Sequence, residues 1–148
     1  MFGNTKNKYL DLLLNKYQSL CAAADIEFVS TVKTANLSFM EAPDIIVLIS
    51  NILDNAVDAA KQSKEKRIDL SINRINSFDV LTCTNSCEKR PPSSGKTLHT
   101  TKPQKGFHGY GIKSIKKIAQ KYKGEFDWSY NEISNEFSVY IAFFDNIN

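Results

Sequence analysis

Cysteine is scarce in this chain: three thiols in 148 residues, Cys21, Cys83 and Cys87, with no Cys-x-x-Cys spacing. That excludes a disulfide scaffold and suits a reducing compartment, so a cytoplasmic location is expected. Even taken with His99 and His108, the thiols lack the spacing of a zinc finger. Cys83 falls instead within a predicted strand, where a buried thiol is expected. Long apolar runs are also missing. The longest, from Ile45 to Ile49, is far short of the roughly 20 residues that cross a bilayer, and the N-terminus has no apolar signal core. This stretch of chain is therefore expected to be soluble and to make no membrane contact itself. Nor is there a surplus of positive charge. A net +3, from 19 Lys and Arg against 16 Asp and Glu, is too small for a phosphate-tracking surface, and nucleic acid is not an expected partner. No repeat or low-complexity tract is present. What is there, 42% hydrophobic and 11% aromatic residues, is the composition of a globular fold of one ordinary domain.

Over residues 8–24 the positions Leu10, Leu13, Leu14, Tyr17, Leu20 and Ala24 recur at three- and four-residue steps, which predicts an amphipathic helix. Its apolar face either packs on its own domain or continues a dimerising helix. Residues 26–32 and 36–39 read as short strands joined by a turn. Pro43 then opens a helix that runs to about residue 62. Two alternating segments, 67–75 and 79–84, flank Asn76-Ser77 as a hairpin would. From 86 to 105 the periodicity stops and Pro91, Pro92, Gly95 and Pro103 gather, the signature of a long functional loop. A helix over 110–123 is expected to end at Gly124 in a C-terminal cap position, followed by strands over 125–130 and 136–144. Paired strands with helices between them predict an α+β fold: a two-layer sandwich with about three helices on one face of a mixed, mostly antiparallel sheet.

The helix from 43 to 62 carries the most informative pattern. A step of about 100° per residue gathers Ile45, Ile49, Ile52, Leu53, Ala56, Val57 and Ala60 on a buried arc. Opposite them lie Asp44, Asn51, Asn55, Asp58 and Gln62, with Val47 and Leu48 at the edges of the stripe. Asn is a poorer helix former than Lys or Glu, so a pair at i and i+4 lowers helix propensity and points to a task. Magnesium takes octahedral oxygen ligands and keeps phosphates and waters among them, so one or two amide oxygens suffice. Asn55 is the expected primary ligand, with Asn51 as a second contact or as the group that orients a metal-bound water. Neither amide is a strong base, which leaves a phosphoryl group waiting for an external nucleophile rather than for water. Later, Gly109 and Gly111 open a Lys-rich helix. Glycine there permits unusual backbone conformation and close approach, and a helix N-terminus favours phosphate. Lys102 and Lys105, in the loop just before, are placed to neutralise a triphosphate. Lys113, Lys116, Lys117, Lys121 and Lys123 are read as that helix's wet outer face.

With these motifs the chain resembles the GHKL, or Bergerat-fold, ATP-binding domains, specifically the catalytic domain of sensor histidine kinases. The closest likeness is to the peptide-pheromone quorum-sensing kinases of Gram-positive bacteria, over about residues 25–144. The N box is matched by Asn51-Ile52-Leu53-Asp54-Asn55-Ala56, the second glycine box by His108-Gly109-Tyr110-Gly111-Ile112, and the lid by Thr100-Thr101-Lys102. The resemblance implies ATP and Mg2+ as cofactors. It implies Asn51 and Asn55 as catalytic and metal-binding residues, and Asn85, Lys102, Lys105, His108, Gly109, Tyr110, Gly111 and Ile112 as further nucleotide contacts. Asn85 holds the position that recognises the adenine amino group. The chain departs from the family at Asn85-Ser86-Cys87, where the wider superfamily has an Asp-x-Gly-x-Gly box. It departs again at Asp58, where many histidine kinases carry a phosphate-contacting Lys, and at Phe107, where the usual box has its first glycine. Asn85 can still accept from an amine, but without the charge assistance of a carboxylate, so weaker adenine affinity is expected.

The implied domains are residues 1–24, the C-terminal stub of a dimerisation and phosphoacceptor helix, and 25–148, the catalytic domain, with its lid at about 86–107. The implied reaction moves the γ-phosphoryl group of ATP to a histidine on a separate dimerisation domain of the same kinase, and then to a response regulator. The parent is expected to be a membrane receptor with this domain on its cytoplasmic side. Neither His99 nor His108 lies on a dimerising helix beside an acidic residue. Two other readings are an ATP hydrolase or chaperone-like clamp, whose relatives resemble one another in carrying Glu where this chain has Asn51, and an interaction module that has lost nucleotide binding.

Overall fold

The computed structural model describes residues 4–91, 93–94, 97–98 and 107–144. Helix α1 (Lys8–Ala23) starts where Asn7 turns its side-chain oxygen onto the amides of Tyr9 and Leu10, at 3.2 and 3.3 Å. This satisfies two of the donors that a helix start leaves open. The other end of the same carboxamide, Nδ2, donates to the carbonyl of Asn36 at 2.8 Å, and Asn36 Nδ2 returns a bond to Thr5 O at 2.8 Å. That exchange is why residues 36–39 are a turn and not the expected strand. The carbonyl and side-chain amide of Asn36 are spent on the segment that caps α1, Ser38 N donates back to Asn36 Oδ1, and Leu37 takes a left-handed φ of 60° with its side chain fully buried. The apolar face of α1 is buried: Leu10, Leu13, Leu14, Tyr17 and Cys21 pack within the core.

Strand β1 (Glu27–Val32) leads to α2 (Ala42–Lys61), which has Pro43 in its first turn and the expected buried arc. Leu48 differs from expectation. It is fully buried, so it belongs to the core and not to the polar stripe. Five strands form one sheet in the order β1-β2-β3-β7-β6, with β2 (Arg67–Ile75), β3 (Phe78–Ser86), β6 (Gly124–Asn131) and β7 (Glu136–Phe144). β1 runs parallel to β2 and every other pair is antiparallel. The three helices cover one face: α1 over β1, α2 over β2 and β3, and α3 (Phe107–Lys121) over β6. Residues 93–94 and 97–98 form a two-residue ladder, β4 and β5, inside the segment expected to be a long loop. Ile68, Leu70, Ile72, Leu81, Cys83 and Ile141 supply the inner face of the sheet, and burial pushes the Cys83 thiol up to about 12.

Gly124 is not the cap of α3. Lys123 takes the left-handed turn with φ 59°, while Gly124 is already the first residue of β6. The far ends of α2 and α3 are latched by charge. Asp44 accepts from Lys121 Nζ at 2.7 Å and from the Tyr122 hydroxyl at 2.5 Å, and that hydroxyl in turn receives the Glu41 amide at 3.0 Å. The bonds from Lys121 and Tyr122 hold the Asp44 carboxyl below its ordinary range. A depressed carboxylate contributes stability that is present above the unfolded-state value of about 3.9 and is lost as pH falls through the folded value. Asp44→Asn is therefore expected to lower the urea midpoint at pH 7, with the gap from the wild type closing in acid. Equal midpoints at pH 7 would remove the latch from the account.

Candidate functional site

The two sequence motifs meet between α2 and α3. Asn51 and Asn55 stand one turn apart on the flank of α2 that faces α3, and the residue opposite them is Gly111. A Cβ built on Gly111 would sit 3.4 Å from Asn51 Oδ1, 3.4 Å from Asn55 Nδ2 and 3.7 Å from Asn55 Oδ1. Gly111 is helical, with φ outside the left-handed region, so glycine here serves close approach and not an unusual backbone conformation. Asn55 Oδ1 is buried and has no hydrogen-bond partner among the described residues. A buried carbonyl left unpaired carries a cost of about 1–3 kcal/mol, which an arriving cation or donor would relieve.

α3 begins at Phe107, three residues before its expected start. His108, Gly109 and Tyr110 therefore lie in its first turn, whose amides are among those a helix leaves without intrahelical acceptors. Ile112 packs part-buried on the core. The box is thus built into the helix N-terminus, the positive end of its dipole. Lys102 and Lys105, with the rest of the Thr-Thr-Lys motif, lie outside the described residues. No cluster of three His, Cys, Asp or Glu suited to a metal occurs among the described residues, so a cation at the Asn pair would rely on neutral amide oxygens.

Sequence reasoning missed a tie from α1 into the N box. The buried Tyr17 hydroxyl donates to Asp54 Oδ1 at 2.6 Å and lies 3.4 Å from Ser50 O. Burial, with Asp54 beside it, pushes the phenol well above its ordinary value, so it stays a donor throughout the neutral range. The available signal was a Tyr on an apolar helix face, since a buried phenol nearly always finds a partner. Tyr17→Phe removes the donor and leaves a carboxylate oxygen facing an apolar ring. Chemical denaturation is expected to show a loss of about 1–3 kcal/mol, and an unchanged midpoint would mean that Asp54 is solvated.

At the other end of the sheet Asn85 is buried on the helix-facing side of β3, where its register partner is Phe137 and, through β7, Tyr130. Its Nδ2 donates to Ser86 O at 2.9 Å. Ser86 Oγ is 2.6 Å from Ser63 Oγ and receives the Arg67 amide at 2.9 Å. Trp128 and Phe137 pack with ring centroids 5.7 Å apart, and the Arg90 guanidinium lies 5.7 Å from the Trp128 ring. Asn85 thus sits beside an aromatic floor and is linked through Ser86 to the residues that follow α2. Neither serine carries a sequence signal, because each acts through a partner distant in the chain.

The profile of a family described as GHKL domain matches residues 40–143. No curated protein matches the chain. Among solved structures, a mycobacterial sensor histidine kinase, MprB, is similar at 17% identity over 93% of this chain and 94% of that one, with a TM-score of 0.66. The catalytic domain of the histidine kinase ThkA, in a nucleotide-free form, is similar at 18% identity over 94% and 91%, with a TM-score of 0.71. Full-length ShkA in complex with AMPPNP is similar at 10% identity over 95% of this chain and 30% of that one, with a TM-score of 0.69. At these identities the likeness is one of fold. The α+β sandwich expected from the sequence is the fold of histidine kinase catalytic domains.

Proposed function

We propose a function from one premise: the chain belongs to the GHKL domain family. It is the ATP-binding catalytic domain of a two-component sensor histidine kinase. It passes the γ-phosphoryl group of ATP to a histidine on a separate dimerisation domain, from which a response regulator takes it. The observation that carries this reading is the buried Oδ1 of Asn55, unpartnered among the described residues, at the seam where the Asn pair meets Gly111. An unpaired acceptor beside a helix N-terminus fits a cation joined to an anion better than it fits a structural role.

Asn55 Oδ1 and, secondarily, Asn51 Oδ1 would hold Mg2+, whose charge neutralises the β- and γ-phosphates when bound. The first-turn amides of α3, from His108 to Tyr110, cradle phosphate oxygens, with Gly111 allowing the close approach to the Asn pair and Ile112 seating the helix on the core. Lys102 and Lys105 add positive charge from the lid, and Asn85 accepts from the adenine amine. Asn51, a neutral amide, offers no base to a water, so the phosphoryl group stays until an acceptor imidazole arrives. The likeness to ShkA, solved with AMPPNP, supports a nucleotide in this fold. Residues 1–24 lead from the dimerisation domain into the catalytic domain, with α1 packed by its apolar face on the catalytic core, and the parent is a membrane receptor of the peptide-pheromone quorum-sensing type with this domain in the cytoplasm. Among the described residues no helix is long and apolar enough to cross a membrane.

Calorimetric titration with a non-hydrolysable ATP analogue, with and without magnesium, tests the reading alongside a phosphate-release assay. Magnesium-dependent binding with little phosphate release is expected. Steady hydrolysis by the chain alone would favour the clamp reading, and absence of binding would favour the interaction module.

A further inference from the structure

We propose that Ser86, held by Ser63, is a positioning residue that turns Asn85 into an acceptor and makes the site select a 6-aminopurine nucleotide over a 6-oxopurine one. The inference rests on the nucleotide reading above. Its starting point is a property of the carboxamide: one end donates and the other accepts, so an Asn reads a base correctly in only one of two orientations. A carboxylate has no such ambiguity, because both its ends accept.

The structure supplies what orients the amide. Nδ2 of Asn85 donates to Ser86 O at 2.9 Å inside a buried strand end. Turned over, Oδ1 would face that carbonyl oxygen, acceptor against acceptor, with no water to separate them. The carbonyl therefore fixes Oδ1 as the end available to a base. The position of that carbonyl depends on Ser86, because β3 parts from β2 at this residue. The last register pair of the two strands is Ile68 with Asn85, and the Arg67 amide that would continue the ladder is taken by Ser86 Oγ at 2.9 Å. The hydroxyl thus does the work of the missing backbone pair. It is pinned in turn by Ser63 Oγ at 2.6 Å, and Ser63 Oγ also donates to Ala60 O at 2.8 Å in the last turn of α2. Both serines are buried, at 5% and 4% exposure, so water cannot replace either bond cheaply. An acceptor at Oδ1 suits the amine at position 6 of adenine, whereas the 6-oxo group of a guanine or hypoxanthine base would bring a second acceptor against it.

The test is competitive binding of ATP and inosine triphosphate to the full chain with magnesium. The wild type is expected to prefer ATP by about tenfold or more, the effect of one hydrogen bond exchanged for one acceptor clash. Ser63→Ala is expected to cut that ratio by about fivefold. In an Asn85→Asp background the same substitution is expected to leave the ratio unchanged, since a carboxylate needs no orienting. A ratio unmoved by Ser63→Ala, or one that falls equally in both backgrounds, overturns the proposal, the second result marking a merely structural role. A second measurement needs no variant. Hydrogen exchange of the wild-type Asn85 side-chain amide should show one protected proton, and exchange of both at the solvent rate overturns the proposal even if Ser63→Ala fails to fold. A wild type that binds both nucleotides equally overturns this inference alone, whereas one that binds neither also overturns the nucleotide reading beneath it.

Discussion

Gly124→Ala is expected to destabilise the fold by about 3 kcal/mol, at the upper end for overpacking a core. The added Cβ would stand 2.6 Å from Phe143 Cδ1, 2.7 Å from Cε1 and 3.3 Å from the backbone oxygen of Ala119. The first two distances are far inside van der Waals contact, and the ring has little room to yield. Phe143 is 1% exposed, pairs in register with Gly124 across β6 and β7, and meets the Phe39 ring edge-on at 5.3 Å. The strain would act where α3 turns into β6, the junction that also carries the Asp44 latch through Tyr122. For a chain of this length the loss corresponds to roughly 6–12 °C in melting temperature. Phe143→Leu, which removes the clashing ring edge, should recover part of that loss in the double variant although it is itself destabilising. A melting temperature for Gly124→Ala within a degree or two of the wild type would mean that the ring has slack.

The same glycine shows where the sequence could and could not be read. A Gly after a helical run looks like a cap because that is its commonest use there, and nothing local reveals a phenylalanine nineteen positions later, at 143, lying against it. The helices and long strands were legible because their periods are local. The arc of Ile45, Ile49, Ile52 and Leu53 states the helix and its buried side at once, and the alternation of Ile68, Leu70 and Ile72 does the same for β2. Leu48 falls outside that arc by its angle and is buried all the same, because other helices as well as the sheet pack on α2. Residues 36–39 look like a strand by composition, but the backbone carbonyl and the side-chain amide of Asn36 answer to Asn7 and Thr5.

At the site, the Asn stripe was legible for the same periodic reason, whereas its meeting with Gly111 followed only from resemblance, since the two motifs lie on different helices. The groups that orient the site, Tyr17 on Asp54 and Ser63 on Ser86, left no pattern to read. A hydrogen bond between positions far apart in the chain adds no periodicity to either segment.

Asn55→Ala is expected to move stability and binding in opposite directions, and this separates a ligand site from a structural one. Without nucleotide the variant should be more stable by about 1 kcal/mol or more. It loses a buried acceptor that is unpartnered among the described residues, a group whose desolvation costs about 1–3 kcal/mol, and it gains the better helix former of the two residues, by a few tenths of a kcal/mol. The void left by so small a side chain offsets part of this gain. Magnesium-dependent binding of a non-hydrolysable ATP analogue should meanwhile weaken by about a hundredfold or more, as removal of a primary oxygen ligand requires. Thermal denaturation without ligand and calorimetry with it read the two effects separately. If Asn55 served only to hold α2 and α3 together, its removal would lower stability and leave nothing for the nucleotide to report. A fold that carries an avoidable cost on one buried oxygen, at the closest approach of its two motif-bearing helices, is expected to recover that cost only in the loaded state. A less stable Asn55→Ala with intact nucleotide affinity would move the phosphate site away from this seam.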